Sequence, residues 1–374
     1  MSKQVPGFWR QGDGFKYFLP QPINRSFVWN DRRIDLLLSE ANHWLGELNA
    51  YSTIVPNVDF FIKMHVVKEA TESSKIEGTK ADVTDAVLPE QEVAAEKRDD
   101  WEEVQRYIAA MNFAIEELGR VPLSMRLLKD AHRILLTNVR GKHKQPGEIR
   151  KSQNWIRGTS PRDAVFVPPN HDAVPELLSD LQKFWHNKEL LLPALIKIAL
   201  GHYQFESIHP FLDGNGRIGR LLITLQLVEA GLLQKPTLYL SEFFEKRRAL
   251  YEDGLMLVRE KGDFDRWLLF VLEGMVTTAK NGVETFKKIM TLRAKYDQTI
   301  LAIGRRAQHG SKLIQYLFAS PITDVKRAAD ACEISFNTAN SLLLSLAQKG
   351  MLREVTGSSR NRLFSLYEYL DLFK

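Results

Sequence analysis

Two apolar helical segments, 192–205 and 217–230, are interrupted by the run His209-Pro210-Phe211-Leu212-Asp213-Gly214-Asn215-Gly216. This interruption constrains the fold of the 374-residue chain more than any other stretch. The first helix ends near His209-Pro210, because proline cannot continue the backbone hydrogen-bond ladder. Two glycines around an asparagine then form a tight loop, since these residues tolerate left-handed angles. A second helix begins at once and closes at Gly231.

The rest of the chain repeats the helical theme. Apolar residues recur at helical spacing over 31–49, 101–118, 124–136, 174–185, 247–259 and from 264 to about 293. Asn57 can cap a helix carrying Val58, Phe61, Ile62, Val66 and Ala70 on one face, which ends near Glu77-Gly78. Residues 79–100 are polar and acidic and read as a loop. The run 149–156, a Gly/Ser/Pro/Asp turn at 157–163 and the run 164–169 read as a β-hairpin, with an irregular surface loop as the plainer alternative.

After a linker within 280–305 the pattern changes. A helix at 312–319, a helix capped by Thr323-Asp324, a third begun by Ser335, and two short runs at 352–355 and 362–367 predict a winged helix. The expected fold is all-α, with a β-hairpin flap and a C-terminal winged-helix domain. The expected units are 1–110, 111–280 and 281–374.

The loop carries the chemistry. Backbone N–H groups at a helix N-terminus make a nest for an anion. Arg217 and Arg220 stand i, i+3, so both can face that anion and fork onto phosphate. Asp213 precedes the nest, placed to hold Mg²⁺ on phosphates. His209 has the side-chain pKa suited to proton abstraction near neutrality. Each feature alone has a plainer reading: a turn, a hydrogen-bonding histidine, a solvated arginine pair. All of them within one twelve-residue run favour a nucleotide site. No GxxxxGK[ST] run occurs, which excludes a P-loop. A zinc site from His202, His209 and Asp213 is the weaker alternative, opposed by Pro210 and Gly214.

The segment HPFLDGNGRIGR matches the HPFx(D/E)GNGRxxR signature of the Fic family without a mismatch. The chain thus resembles the class of Fic proteins with an N-terminal inhibitory helix and a C-terminal winged helix. The resemblance implies a helical protein adenylyltransferase, which moves AMP from ATP to a hydroxyl of a target protein. It implies His209 as general base, Phe211 as the loop's anchor and Asp213 as the Mg²⁺ ligand. Gly214, Asn215 and Gly216 would cradle the α- and β-phosphates. Arg217 would hold the β-phosphate region and Arg220 the γ-phosphate, with Ile218 and Gly219 in the same nucleotide-binding run.

The hairpin resembles the family's flap, so Ile156, Arg157 and Gly158 would meet the target by strand addition. Tyr251 resembles an adenine-bordering tyrosine, with a core aromatic as the alternative. Ser73-Ser74-Lys75-Ile76-Glu77-Gly78 fits the family's inhibitory [S/T]xxxE[G/N] pattern, in which Glu77 would pair with Arg220. The same resemblance implies a target Tyr, Thr or Ser, a homodimer and, as a secondary activity, removal of AMP.

Composition bounds these readings. No apolar run approaches the ~20 residues of a membrane span. The N-terminus lacks the apolar core of a secretory signal, and Cys332 is the sole cysteine. A cytoplasmic protein without membrane partners is expected. The 51 basic and 46 acidic residues give net +5, of which +4 falls in 301–374. A DNA-binding regulator is therefore the competing function, with Asn337, Thr338, Asn340, Ser341 and Ser345 facing the groove and Arg360 and Arg362 on phosphate. A solvated basic face is the plainer reading of that charge.

Overall fold

The computed structural model describes residues 4–54, 58–137, 142–357 and 361–374. Asn57, Ser358, Ser359 and Arg360 lie outside the described residues. The chain opens with an antiparallel pair, β1 (Gly7–Gln11) and β2 (Lys16–Pro20). Helices α1 (Arg33–Ile54), α2 (Val58–Ile76), α3 (Val83–Val87), α4 (Arg98–Leu118) and α5 (Met125–Leu135) follow. Then come α6 (Val174–His186), α7 (Ala194–Ile208), α8 (Asn215–Glu229), α9 (Ser241–Lys246), α10 (Arg248–Lys261) and α11 (Phe264–Leu301). The chain closes with α12 (Ala307–Ala319), β3 (Ile322–Asp324), α13 (Val325–Cys332), α14 (Phe336–Gln348), β4 (Arg353–Glu354), β5 (Leu363–Ser365) and α15 (Tyr367–Leu370).

Helices α7 and α8 form the centre. Nearly every residue of both is buried, polar ones included, because neighbours cover them on all sides. They pack on each other, α6 lies against α7, and α4 and α5 against α8. Helix α2 packs on α4, α8, α9 and α12, so it reaches both the centre and the C-terminal part. There β3, β5 and β4 pair antiparallel in that order beside α12, α13 and α14. Asp324 and Ser335 cap α13 and α14 as their sequence positions predict.

The structure departs from the sequence reading in four places. Residues 7–20 form a hairpin around Gly12-Asp13-Gly14, which the reading passed over. Residues 79–100 are not all loop: Asp82 and Asp85 close a capping box that starts α3, and α4 begins at Arg98. The flap holds one antiparallel bridge, Ile156 to Phe166, rather than two ladders of strand. No linker interrupts 280–301, because α11 continues to Leu301 and buries Val283, Phe286, Ile289, Tyr296 and Ile300.

Candidate active site

The loop between α7 and α8 is held by side chains from three directions. His209 caps α7 in the left-handed region, with φ 50°. That strained backbone is fixed by Arg150, which is 2% exposed. Arg150 Nε donates to the His209 carbonyl at 2.9 Å, and its Nη atoms donate to Ile208, Pro169 and Ser152 carbonyls. Asn154 Nδ2 donates to the Phe211 carbonyl at 2.8 Å.

On the far side, His132 stacks on Phe211 with ring centroids 3.8 Å apart. Its Nδ1 accepts the Gly147 N–H, so Nε2 carries the proton and donates to the Asp213 carbonyl at 2.9 Å. Burial pushes the His132 pKa down to about 4, which keeps this donor neutral. Asn215 closes the loop from within: its amide accepts from the Phe211 N–H and donates to the Phe211 carbonyl. Its side chain is therefore spent on the loop, which leaves its backbone N–H for an anion. The first intrahelical bond of α8 runs from Ile218 N–H to Gly214 C=O. The N–H groups of Asn215, Gly216 and Arg217 precede it and form the nest.

A carboxylate approaches Gly216 at that nest. A Cβ at Gly216 would collide with Glu77 Oε1, so only glycine lets Glu77 approach the helix end. Arg220 Nη2 donates to Glu77 Oε1 at 2.7 Å and to the Ser73 carbonyl at 3.0 Å, while Nε donates to Ser73 Oγ at 2.8 Å. Burial works against the Glu77 charge, but Arg220 and then Arg217 hold its pKa below the usual carboxylate range. Burial also works against the Arg220 charge, and Glu77 reverses this, so its pKa is raised. Arg217 pairs with Glu103, and its carbonyl accepts from Tyr107 Oη.

The imidazole of His209 faces the same space. Burial, with Arg150 and Arg259 nearby, lowers its pKa to about 3, so it is unprotonated at neutral pH. Glu206 Oε2 stands 3.9 Å from His209 Nδ1. Asp213 is half exposed; its Oδ1 accepts the Gly214 N–H at 2.6 Å and lies 3.9 Å from Arg217 Nη2. Among the described residues no cluster of three His, Cys, Asp or Glu could hold a metal. A single exposed carboxylate fits a Mg²⁺ that keeps its other ligands as phosphate and water.

Other expectations sort as follows. His202 spends Nδ1 on the Gly219 carbonyl and Nε2 on the Tyr251 hydroxyl, so it cannot join His209 and Asp213 on a zinc ion. Tyr251 is 4% exposed and stacks on Phe244 at 4.6 Å, which is the position of a core aromatic. Ile218 is fully buried, and a Cβ at Gly219 would collide with Glu206 Oε1. In the flap, Ile156 bonds Phe166 and Val165, Arg157 (φ 57°) forks onto Glu252, and Gly158 takes φ 78° against the Asp163 carbonyl. The Val167 carbonyl accepts from Phe18 N–H, so β2 covers one edge of the flap. Arg150, Asn154 and His132 had escaped the sequence reading, because nothing local marks a side chain that acts on backbone far along the chain.

The Fic/DOC family profile matches residues 122–227, and that of the Fic/DOC family N-terminal region matches 36–116. The chain belongs to the Fic/DOC family. It is 37% identical over 116 residues to a probable protein adenylyltransferase of Aquifex aeolicus, covering 31% of this chain and 34% of the relative. It is 29% identical over 152 residues to the protein adenylyltransferase Fic of Aedes aegypti, covering 40% and 27%. The chain thus spans about a quarter to a third of the length of these curated relatives. A Fic family protein of Desulfovibrio desulfuricans shares the fold over 91% of this chain and 98% of its own, with TM-score 0.59 and 21% identity. A Fic domain signalling protein of Bacteroides thetaiotaomicron covers 66% and 97%, with TM-score 0.55 and 18% identity. These two similarities extend to the fold. No helix among the described residues of this Fic protein is long and apolar enough to cross a membrane.

Proposed function

We propose that this Fic protein transfers AMP from ATP to a Tyr, Thr or Ser hydroxyl of a target protein, and that Glu77 restrains the transfer. The observation that carries the reading is the Glu77 carboxylate paired with Arg220 and placed against Gly216 of the α8 nest. An anion is already seated where a nucleotide phosphate would bind. In this reading the target oxygen attacks the α-phosphorus as His209 takes its proton. The new O–P bond forms, the bond from that phosphorus to the bridging oxygen breaks, and pyrophosphate leaves. The nest N–H groups and the two arginines receive the phosphate charge. Asp213 would hold Mg²⁺, which supplies further charge neutralisation when bound. With Glu77 in place Arg220 is engaged, so ATP would sit with its α-phosphate turned from attack.

The flap supports a role in gripping the target. Ile156 is spent on Phe166, and β2 takes the other side, so the outer edge beside Trp155 and Arg157 is the one open to an added strand. The test is incubation with α-³²P-ATP and a lysate, followed by mass spectrometry of labelled bands.

The second reading, a DNA-binding regulator, rests on the C-terminal unit, which we read as a winged helix over 307–374. Arg306 donates to Ser341 Oγ and Arg362 to Asn340 Oδ1, which puts two cations beside the polar face of α14. Binding to random duplex DNA that falls steeply with salt would favour it, and a flat response would exclude phosphate-driven binding.

A further inference from the structure

Glu206 stands one helical turn before His209, near the end of α7. Its side chain is 7% exposed, and its Oε2 lies 3.9 Å from His209 Nδ1. His209 Nδ1 is buried without a hydrogen-bond partner, and so is Glu206 Oε1. Buried polar groups without partners are uncommon. These two side chains are neighbours, one able to donate and the other to accept.

Helix α8 makes the room for this carboxyl. A Cβ at Gly219 would collide with Glu206 Oε1. Glycine is a poor residue inside a helix, and here its bare Cα admits the acid. The charged and titratable groups around Glu206 come from three further elements. Burial opposes its charge most and Glu77, just after α2, opposes it too. Arg220 of α8 and Arg259 of α10 favour the charge, and the balance puts the Glu206 pKa at about 7. Tyr251 of α10 keeps its proton, since burial and then Glu206 raise its pKa. Arg259 Nη2 donates to the Glu206 carbonyl at 3.1 Å, not to the carboxylate. That carbonyl also lies near the His209 ring and favours a proton there.

We propose that Glu206 is a positioning residue for His209: its carboxylate holds the Nδ1 proton, leaves Nε2 as the free base and steadies the imidazolium that forms during transfer. The inference rests on the reading of His209 as the base in AMP transfer. A carboxylate behind a histidine base fixes the tautomer and stabilises the charged ring. With one proton on Nδ1, the Nε2 lone pair takes the proton of the target hydroxyl as its oxygen attacks the α-phosphorus. The ring then carries two protons and a positive charge, which Arg150 and Arg259 oppose and the carboxylate offsets. Once pyrophosphate has left, the Nε2 proton passes to water and the ring is neutral again. At 3.9 Å the pair is longer than a hydrogen bond, and such contacts tighten in the reacting complex.

The first test needs no turnover. Histidine ¹⁵N–¹H correlation spectra of the full chain read the tautomer, with His209 identified by loss of its signals in His209→Ala. Expected is a proton on Nδ1 and none on Nε2. Both nitrogen shifts should step near pH 7 as Glu206 ionises, and the step should vanish in Glu206→Gln. The second test measures kcat and KM for ATP in the Glu77→Gly background. Glu206→Gln should lower kcat roughly 10- to 100-fold with KM within about twofold. The parent's kcat should rise with pH at a midpoint below 7, because the like charge of Glu77 is gone; Glu206→Gln should flatten that rise. Glu206→Asp, which keeps the charge, should recover part of kcat. Glu206→Gln removes a buried charge, so its Tm should not fall, which separates positioning from support of the fold. A His209 protonated on Nε2, a step near pH 7 that survives Glu206→Gln, or an unchanged kcat would overturn the proposal. If Glu206→Gln does not fold, the wild-type tautomer and its pH step decide. If Glu77→Gly transfers no AMP, the functional reading fails, while the tautomer and its step still decide whether Glu206 holds His209.

Discussion

Glu77 and Arg220 meet at 2.7 Å between the end of α2 and the first turns of α8. The arginine side chain is 2% exposed and the glutamate 38%. The pair therefore spans the boundary between the buried centre and the open site. Solvent at the glutamate weakens the pair relative to a fully buried one.

Replacing Glu77 by glycine should raise AMP transfer. The discounted pair is worth about 1–2 kcal/mol, which corresponds to a rise of roughly 5- to 30-fold. Initial rates of label incorporation from α-³²P-ATP measure this. If Glu77→Gly binds ATP yet labels no faster than wild type, Glu77 is an ordinary acid at a helix end.

Asp213→Ala should lose transfer together with its Mg²⁺ dependence. The carboxylate is half exposed, so the fold should survive its removal. A Mg²⁺ titration of the rate reads the effect. Wild-type rates in millimolar Mg²⁺ would place the ion on other groups.

Arg150→Met should destabilise the protein by about 2–4 kcal/mol, because carbonyls of Ile208, His209 and Pro169 lose a buried charged donor. Arg150→Lys should recover little, since an ammonium cannot reproduce the planar fork. Denaturant unfolding measures both variants. A cost below about 0.5 kcal/mol for Met, as at an ordinary surface site, would show that the loop is held without Arg150.

Stability should fall on acidification below pH 6.5. His65 and His132 have folded pKa values of about 4, and His202 and His209 about 3, against about 6.5 unfolded. Between these values the unfolded chain binds more protons, so stability rises with pH through that window. Glu69 and Glu206, raised to about 7, act in the opposite sense between about pH 4.5 and 7 and offset part of the effect. Near pH 5.5 the four histidines outnumber the two acids. The expected slope is about 1–3 kcal/mol per pH unit, and it flattens near pH 7. A Tm that rises from pH 6.5 to pH 5 would contradict this balance.

Much of this was legible in the sequence because its signals are local. Pro210, Gly214 and Gly216 marked the loop, and the helices around it follow apolar spacing. The match of Ser73 to Gly78 to the family's inhibitory pattern, not spacing by itself, implied that Glu77 pairs with Arg220. Other features depend on contacts between distant segments. The sequence at 149–154 gives no sign that Arg150 and Asn154 reach the backbone of 208–211. Helical spacing cannot tell an aromatic lining a pocket from one stacked on Phe244, as Tyr251 is. The N-terminal hairpin did carry a local signal, a Gly-Asp-Gly turn between aromatic runs. The stretch left for the expected linker narrows to 302–306, because α11 keeps burying apolar residues after 280 and ends only at Leu301.

AMP transfer with His209 as base is the central claim. The direct measurement is parallel labelling with α-³²P-ATP and γ-³²P-ATP, using Glu77→Gly and Glu77→Gly/His209→Ala. The account predicts label on protein from the α-phosphate alone. It predicts a loss of about 10²–10⁴-fold in the double variant, the usual worth of a general base, with ATP binding kept. Label from the γ-phosphate, or undiminished α-label without His209, would contradict it.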